Sequence, residues 1–435
     1  MYKTELLNFP QAILHIDGDS FFASCEVAKR PHLKGLPVVT GRERGIASAM
    51  TYEAKRMGVK RGMSIGEIKK ICPRVIILPS DYEAYSLYSK RMYEIVKRYT
   101  PEVEEYSIDE CFADLTGLRR LHKCSYLKMT ERIKEDLQKE LGITFSLGLA
   151  STKVLAKIAS KWDKPDGLTT ISLRDSLKFL RKTEIEKIWG IGQQTSALLR
   201  KYGVRTAYDF VNMREGEVRK LLSKPYYEIW QELRGISVYK VERGEKDTYK
   251  SISKTRTFTP PSSDRERVFA ELSKNIENAC IKARRYNLKS KKIFLFLKNQ
   301  EFKYRGLEIR LERATNTPIN IVKETKKIFD QVFDRRDVYR ATGIVLGNLE
   351  EDLIVQESLF GESGKDKSYS RIYGVLDKIG EKYGKHTLYL GSSYKAINRK
   401  QHRGERGERA EGMMPHFKGE NMRKRINIPY LGEVG

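Results

Sequence analysis

Long apolar runs are missing from this 435-residue chain. No stretch approaches the ~18 consecutive apolar residues of a membrane span, and Met1–Pro10 holds no apolar segment ahead of a cleavage site. Neither a membrane anchor nor export is expected. Cysteine is scarce: Cys25, Cys72, Cys111, Cys124 and Cys280 are odd in number, far apart and without a CxxC pair. That excludes a disulfide framework and a zinc knuckle, and it fits reduced thiols in a cytoplasm. Proline is rare at 13 residues, whereas 40% of the chain is hydrophobic and 10% aromatic. So much core-forming material excludes a largely disordered protein. At ~150 residues per domain the length suits about three domains, and no internal repeat is found.

Acid is the other shortage. Only 57 Asp and Glu face 83 Lys and Arg, a formal net charge of +26 with a pI near 9.6 and a mean hydropathy of −0.56. Such a balance points to a polyanionic partner, either nucleic acid or an anionic membrane surface. The excess is clustered: residues 250–350 hold 23 basic and 12 acidic residues. That block reads as a face that tracks phosphates.

Ala12–Asp17 is a short apolar run that ends in a carboxylate before Gly18, the pattern of a buried strand delivering an acid to its edge. His15 inside it reads as a packed core histidine. Asp19 and Ser20 offer N-cap chemistry for a helix through Glu26. Residues 81–99 space Tyr85, Tyr88, Met92, Ile95, Val96 and Tyr99 on one helical face. Val103–Ser107 and Cys111–Leu115 read as strands meeting at Ile108-Asp109-Glu110, followed by a helix at Leu127–Leu141 and a strand at Ile143–Leu149. Strand, helix, hairpin, helix, strand is the order of a split βαβ, ferredoxin-like sheet. Residues 166–240 read as all-helical and 241–249 as a linker. Strands at 251–258, 291–298, 307–311 and 340–346, with helices at 268–286 and 319–333, give a further α+β unit. The fold class is multidomain α/β (α+β).

Asp17, Asp109 and Glu110 form the first chemical constellation. Strand neighbours point to opposite faces, so Asp109 and Glu110 act together only if the hairpin tip kinks. Three converging carboxylates would raise one another's pKa unless a cation lay between them, and all-oxygen ligation suits Mg²⁺. The alternative is ordinary surface acids at strand ends. Tyr52, Lys55, Arg56, Lys157 and Lys164 are groups available to a triphosphate, and the expected helix N-terminus after Asp17 presents N–H groups to anions. Gly190-Ile191-Gly192, after apolar Ile188 and Trp189 and before a helix through Leu199, has the form of a helix-hairpin-helix turn that meets DNA phosphate through backbone N–H groups. The alternative is a glycine pair at a helix C-cap.

Ile16-Asp17-Gly18-Asp19-Ser20-Phe21-Phe22-Ala23, Tyr106-Ser107-Ile108-Asp109-Glu110, the run Gly148–Ala159, Lys164-Pro165-Asp166-Gly167 and Gly190-Ile191-Gly192 occur in the order seen in Y-family DNA polymerases. Over residues 10–350 the chain resembles their DinB, or polymerase IV, branch. That resemblance implies a right-hand polymerase: a ferredoxin-like palm at 10–25 and 77–165, small fingers at 26–76, a helical thumb with the helix-hairpin-helix at 166–240, and an α+β little finger at 250–350. It implies template-directed, low-fidelity translesion synthesis from dNTPs on primer-template DNA, by two-metal phosphoryl transfer with two Mg²⁺ and no proofreading exonuclease. Asp17, Asp109 and Glu110 would be the catalytic acids and metal ligands, with Gly18 helping through its carbonyl. Phe22 matches the steric gate that leaves no room for a 2′-hydroxyl. Gly18, Phe21, Phe22, Tyr52, Lys55 or Arg56, and Lys164 match the dNTP site, while Gly190, Gly192, Lys254 and Arg256 are the expected DNA contacts. Where many members read YEAR, this chain has Lys55 followed by Arg56, and a lysine lacks the bidentate fork of an arginine.

Residues 351–435 form an extension. Gln356, Leu359 and Phe360 resemble the QxxLF peptide that docks on the bacterial sliding clamp, a tether that would hold the enzyme near DNA. Residues 369–395 are expected to add a helix and a strand, and the Gly-, Arg- and Glu-rich run from Gln401 is expected to lack a core. A cytoplasmic monomer is expected. A catalytically idle DNA-binding scaffold or a palm-fold nucleotide cyclase would explain parts of this pattern, but not the carboxylates, the hairpin and the basic block together.

Overall fold

The strand β1 (Ile13–Gly18) organises the first half of the chain, because its alternation puts Leu14 and Ile16 into one core and Ile13 into another. The computed structural model describes residues 9–243, 249–352, 363–384 and 386–398. They divide into two compact units, with the boundary at Glu245–Lys246.

In the first unit β1 is followed by α1 (Phe21–Lys29), β2 (Val38–Thr40), β3 (Ala49–Met50), α2 (Tyr52–Arg56), α3 (Ile65–Ile71), β4 (Ile76–Leu78) and α4 (Tyr82–Lys97). Then come β5 (Val103–Ser107), β6 (Glu110–Asp114), α5 (Arg119–His122), α6 (Tyr126–Leu141), β7 (Phe145–Ala150), α7 (Lys153–Trp162) and β8 (Leu168–Ile171). The main sheet has the order β5-β6-β1-β7-β8. Its first four strands are mutually antiparallel in the ferredoxin-like order, and β8 adds in parallel beside β7. One face is buried by α1, α4 and α6 through residues such as Phe21, Met92 and Ile133. The other face is covered by α7 and the helices beyond it, with Ile13, Phe112 and Ala150 against Val154, Leu155 and Ile158. A small sheet, β3-β2-β4, closes over its own core of Val39, Met50, Ala54 and Ile68.

Residues 168–171 depart from the expected all-helical block, pairing with Leu147–Ala150 instead. The two β-branched threonines of this strand suit a place at the sheet edge. Beyond it lie α8 (Ser176–Lys182), α9 (Gln193–Lys201), α10 (Ala207–Val211), α11 (Glu215–Leu221) and α12 (Lys224–Leu233). Gly190 has φ +90° and Gly192 caps α9, so the Gly-Ile-Gly turn needs a residue free of Cβ at its first position.

The second unit comprises β9 (Ser251–Ser262), α13 (Arg265–Arg285), β10 (Leu288–Asn299), β11 (Tyr304–Thr315), α14 (Pro318–Val332) and β12 (Tyr339–Glu351). Its sheet order is β11-β10-β12-β9, and α13 and α14 bury one face through Ile276, Phe329, Leu295 and Ile344. The opposite face carries Lys292, Phe294, Phe296 and Lys298 from β10, opposite Arg310, Glu308, Gly306 and Tyr304 of β11. On β9 this face shows Ser251, Ser253, Thr255 and Thr257. Lys254 and Arg256 instead stand opposite Ile344 and Thr342, in the register of the helix-covered face.

After residue 362 come α15 (Ser363–Tyr383) and α16 (Tyr394–Ile397). The strand expected within 369–395 is replaced by a helix and a short turn, because the chain is held by side chains instead of a sheet edge. Arg284 of α13 makes a two-bond pair with Asp377 at 2.7 and 2.8 Å, and the buried Glu277 accepts from Ser393 and from the Leu390 N–H.

Gly148 lies where α7 crosses β7: an added Cβ would stand 2.2 Å from the Ala156 carbonyl and 2.2 Å from the Ser160 nitrogen. Backbone cannot yield as a side-chain tip can. Gly148→Ala is therefore expected to destabilise the first unit by about 3 kcal/mol, the upper end of overpacking costs. Urea unfolding monitored by circular dichroism checks this, and an unchanged midpoint would contradict it.

Candidate active site

The acids gather where β1 ends beside the β5–β6 turn. Asp17 and Glu110 are direct cross-strand partners, so their side chains share a sheet face. Asp109 sits on the turn itself, held by two hydrogen bonds, while a third holds nearby Ser107. Its carbonyl accepts the Gly18 N–H at 2.8 Å, its carboxylate accepts the Ser107 hydroxyl at 2.6 Å, and the Tyr93 hydroxyl donates to the Ser107 carbonyl.

A cleft of about 390 Å³ opens here, lined by Asp17, Gly18, Phe22, Tyr52, Lys55, Asp109 and Lys164 among others. Glu110 and Arg56 do not line it, while Arg61 does. Of the two adjacent cations the sequence left open, Lys55 is thus the one beside the acids. Its ammonium donates to Ser20 Oγ at 2.8 Å and lies 3.9 Å over the Tyr52 ring.

The charges are arranged as pairs. Lys164 donates to Asp17 and stands 3.7 Å from Asp19. Lys157 reaches both Glu110 oxygens, at 3.0 and 2.9 Å. His15, wholly buried, contacts Glu110 at 3.2 Å through Nε2 and Ser160 at 2.7 Å through Nδ1. Burial alone would raise the Glu110 pKa, but the His15 hydrogen bond and the nearby His15 and Lys157 charges outweigh it and hold the acid at about 2. Asp109 goes the other way. Burial raises its pKa, opposed by the Ser107 bond and reinforced by the Asp17 and Glu110 charges. The Tyr52 hydroxyl is pushed up to about 12 by burial and then by Asp19 and Asp17.

Two expectations change. The three acids do not close on one point: among the described residues no group of three acids, histidines or cysteines stands ready around a metal, because Glu110 turns toward Lys157 and His15. Lys157 itself is buried and bound to an acid, not displayed to a triphosphate. The donor set that does face the cleft, Asp17 and Asp109 with the Gly18 backbone, is all oxygen, the chemistry that fits a hard divalent cation.

Ser20 does not cap α1, since it adopts φ 50° and its hydroxyl accepts from Lys55. Asp19 is the residue that sequence reasoning undervalued. Buried, it accepts from Ser146 Oγ and from the Asp166 N–H, both at 2.8 Å. It thereby ties the Lys164–Gly167 loop to the end of β1. Nothing local in the sequence marks that link, because Asp166 is 147 residues away.

Phe22 is clamped rather than loose. Its ring stacks on Tyr85 at 4.5 Å and meets Tyr82 edge-on at 5.5 Å. Phe21 is core, 3% exposed. Gln356, Leu359 and Phe360 lie outside the described residues.

Known proteins resemble this chain over most of its length. Residues 16–161 match the impB/mucB/samB family and residues 249–359 match that family's C-terminal domain. A DNA polymerase IV of Streptococcus pyogenes serotype M1 is 33% identical over 345 residues, 78% of this chain and 94% of the relative. A DNA polymerase IV of Lactococcus lactis subsp. cremoris is 33% identical over 354 residues, 78% of this chain and 96% of the relative. Among solved structures, a Y-family DNA polymerase chimera of Dbh and Dpo4 superposes with a TM-score of 0.67 at 25% identity, covering 78% of this chain and 98% of that one.

The raised Asp109 pKa has a sign that can be checked. A carboxyl whose folded pKa lies above its unfolded value disfavours the fold once ionised, and the penalty is complete above the folded value. Without metal, Asp109→Asn is expected to melt higher than wild type at pH 7, with the advantage shrinking as pH falls toward 3.8, the ordinary value. Differential scanning calorimetry in EDTA measures this, and a lower melting point for the variant at pH 7 would refute it.

Proposed function

Because the chain belongs to the Y family of DNA polymerases, in its DinB-type polymerase IV branch, it is a DNA-directed DNA polymerase of translesion type, and we propose that its chemistry runs in the Asp17–Asp109 cleft. The observation that carries this reading is the facing of those two carboxylates, across one cleft, by Phe22, Tyr52, Lys55 and Lys164.

The family is metal-dependent, and we assign two Mg²⁺ to Asp17, Asp109 and the Gly18 carbonyl, with Glu110 as the third acid. Bound there, the pair would lower the pKa of the primer 3′-hydroxyl and neutralise charge on the departing pyrophosphate. The 3′ oxygen forms its bond to the α-phosphorus as the bond to the bridging oxygen of pyrophosphate breaks. Lys164 leaves Asp17 for the triphosphate, which Lys55 and the Tyr52 hydroxyl also meet. Arg61, in the same cleft, is a further cation for it. Phe22, held against Tyr85, excludes a 2′-hydroxyl by occupying its space.

In domain terms, the β5-β6-β1-β7-β8 sheet is the palm, which extends to residue 171 by including β8. The β3-β2-β4 sheet is the fingers, residues 176–233 are the thumb and the second unit is the little finger. Backbone at Gly190 and Gly192 grips phosphate on the thumb. On the little finger, the face bearing Lys292, Lys298, Arg310 and the β9 hydroxyls supplies the contacts that the sequence assigned to Lys254 and Arg256. Gln356, Leu359 and Phe360 dock on a bacterial sliding clamp. The five cysteines, all buried and free, suit a monomer working in a reducing cytoplasm.

Primer extension tests this directly. With Mg²⁺ and dNTPs the wild type extends a primed template, Asp17→Ala and Asp109→Ala lose about 1,000-fold or more, the scale of a lost electrostatic anchor, and Phe22→Ala incorporates ribonucleotides. A wild type that extends no primer would sink the reading. Replacing Lys292, Lys298 and Arg310 with Ala is expected to weaken DNA binding and to flatten the log–log salt slope by about one unit for every phosphate left without its cation. An unchanged slope would remove that face from the DNA site.

A further inference from the structure

Lys157 is a buried cation that the cleft does not use. Its ammonium lies 4.5 Å from the Tyr106 ring, 5.0 Å from Trp189 and 6.0 Å from Phe112, while it donates to Glu110 Oε1 at 3.0 Å and stands 2.9 Å from Oε2. Two of these rings belong to the strands that frame the catalytic turn, Tyr106 on β5 and Phe112 on β6. The third does not. Trp189 immediately precedes the Gly190-Ile191-Gly192 turn, and its indole N–H donates to the Tyr106 hydroxyl at 3.2 Å. It also packs on Phe112 at 5.7 Å.

A cation held by one carboxylate and several ring faces has little freedom: ring quadrupoles attract it electrostatically, and a low local dielectric strengthens its bond to the acid. Removing one ring loosens the ammonium, and the carboxylate it holds loosens with it. Glu110 is one residue from Asp109, so its orientation and that of the catalytic turn are linked through the backbone.

We propose that Lys157, caged by Tyr106, Phe112 and Trp189, is a positioning residue for Glu110, and that Trp189 couples the hairpin's grip on DNA to the catalytic carboxylates. The inference rests on the polymerase reading above and adds a route by which a contact at Gly190–Gly192 registers at the acids. The ammonium is the middle link. A shift of Trp189 when the hairpin engages phosphate changes the cage around Lys157, and Glu110 follows.

The test is a double-mutant cycle in primer extension, with DNA affinity measured separately by fluorescence anisotropy. Lys157→Met is expected to lower kcat by about 10–100-fold, the scale of a small misplacement of reacting groups, with DNA affinity unchanged within about twofold. Trp189→Leu should lower kcat in the same direction, Trp189→Phe should restore most of it, and Trp189→Leu should cost nothing further when Lys157→Met is already present. A second readout needs neither metal nor turnover. With Trp162→Phe and Trp230→Phe leaving Trp189 as the only emitter, primer-template DNA should shift its fluorescence in EDTA. Melting curves identify any variant that fails to fold, and the Trp189→Phe and single-emitter proteins still decide the matter. Additive effects on kcat, or an emission that ignores DNA, would overturn the coupling even while wild-type extension proceeds. Failure of the wild type to extend would count against the polymerase reading alone.

Discussion

Carboxylates crowded onto adjacent strand ends repel one another, and the first unit of this protein is organised around the positive charge that makes the crowding tolerable. Lysine supplies it from two directions. Lys164, on the loop after α7, stands on Asp17, and Lys157, inside α7, stands on Glu110. The loop reaches its position because Asp19 accepts the Asp166 N–H. The helix reaches its position because Gly148 lets backbone approach backbone. Sheet, helix and loop thus meet at one electrostatic problem.

The two lysines solve it differently. Lys157 is enclosed by rings and bonded to a carboxylate whose pKa lies near 2, a lasting arrangement. Lys164 lines the open cleft beside Asp109, whose carboxyl burial has made harder to ionise. Lys164 is partly exposed on the cleft and Lys157 is buried among the rings. That division gives a physical reason for three acids of one sign to carry different duties. Asp17 and Asp109 line the cleft, whereas Glu110 is turned toward Lys157 and His15.

Much of this was legible in the sequence where a single element carried the signal. The apolar run Ala12–Asp17 that ends in a carboxylate, the helical spacing of residues 81–99 and the carboxylate pair at a strand junction all translated into observed elements, because each signal lies within a few neighbouring residues. The polymerase family was legible from five ordered motifs. What stayed hidden depended on distance along the chain. His15 could be placed in a core, but its partners Ser160 and Glu110 lie 145 and 95 residues away. Lys157 read as a cation available to a triphosphate, because nothing near it in sequence announces the cage that buries it against Glu110. The β8 strand escaped notice for a related reason: its four residues gain their identity only by pairing with β7. Lys254 and Arg256 show how register decides facing: they stand opposite Ile344 and Thr342 of β12, Lys254 half-buried and Arg256 exposed.

If lysine stands where a cation will stand, the two compete. Removing the competitor should then favour the cation even while it harms catalysis. Mn²⁺ binding, followed by electron paramagnetic resonance without DNA or nucleotide, measures this in wild type and in Lys164→Ala. Tighter Mn²⁺ binding by the variant is the predicted result, and equal or weaker binding would contradict the account.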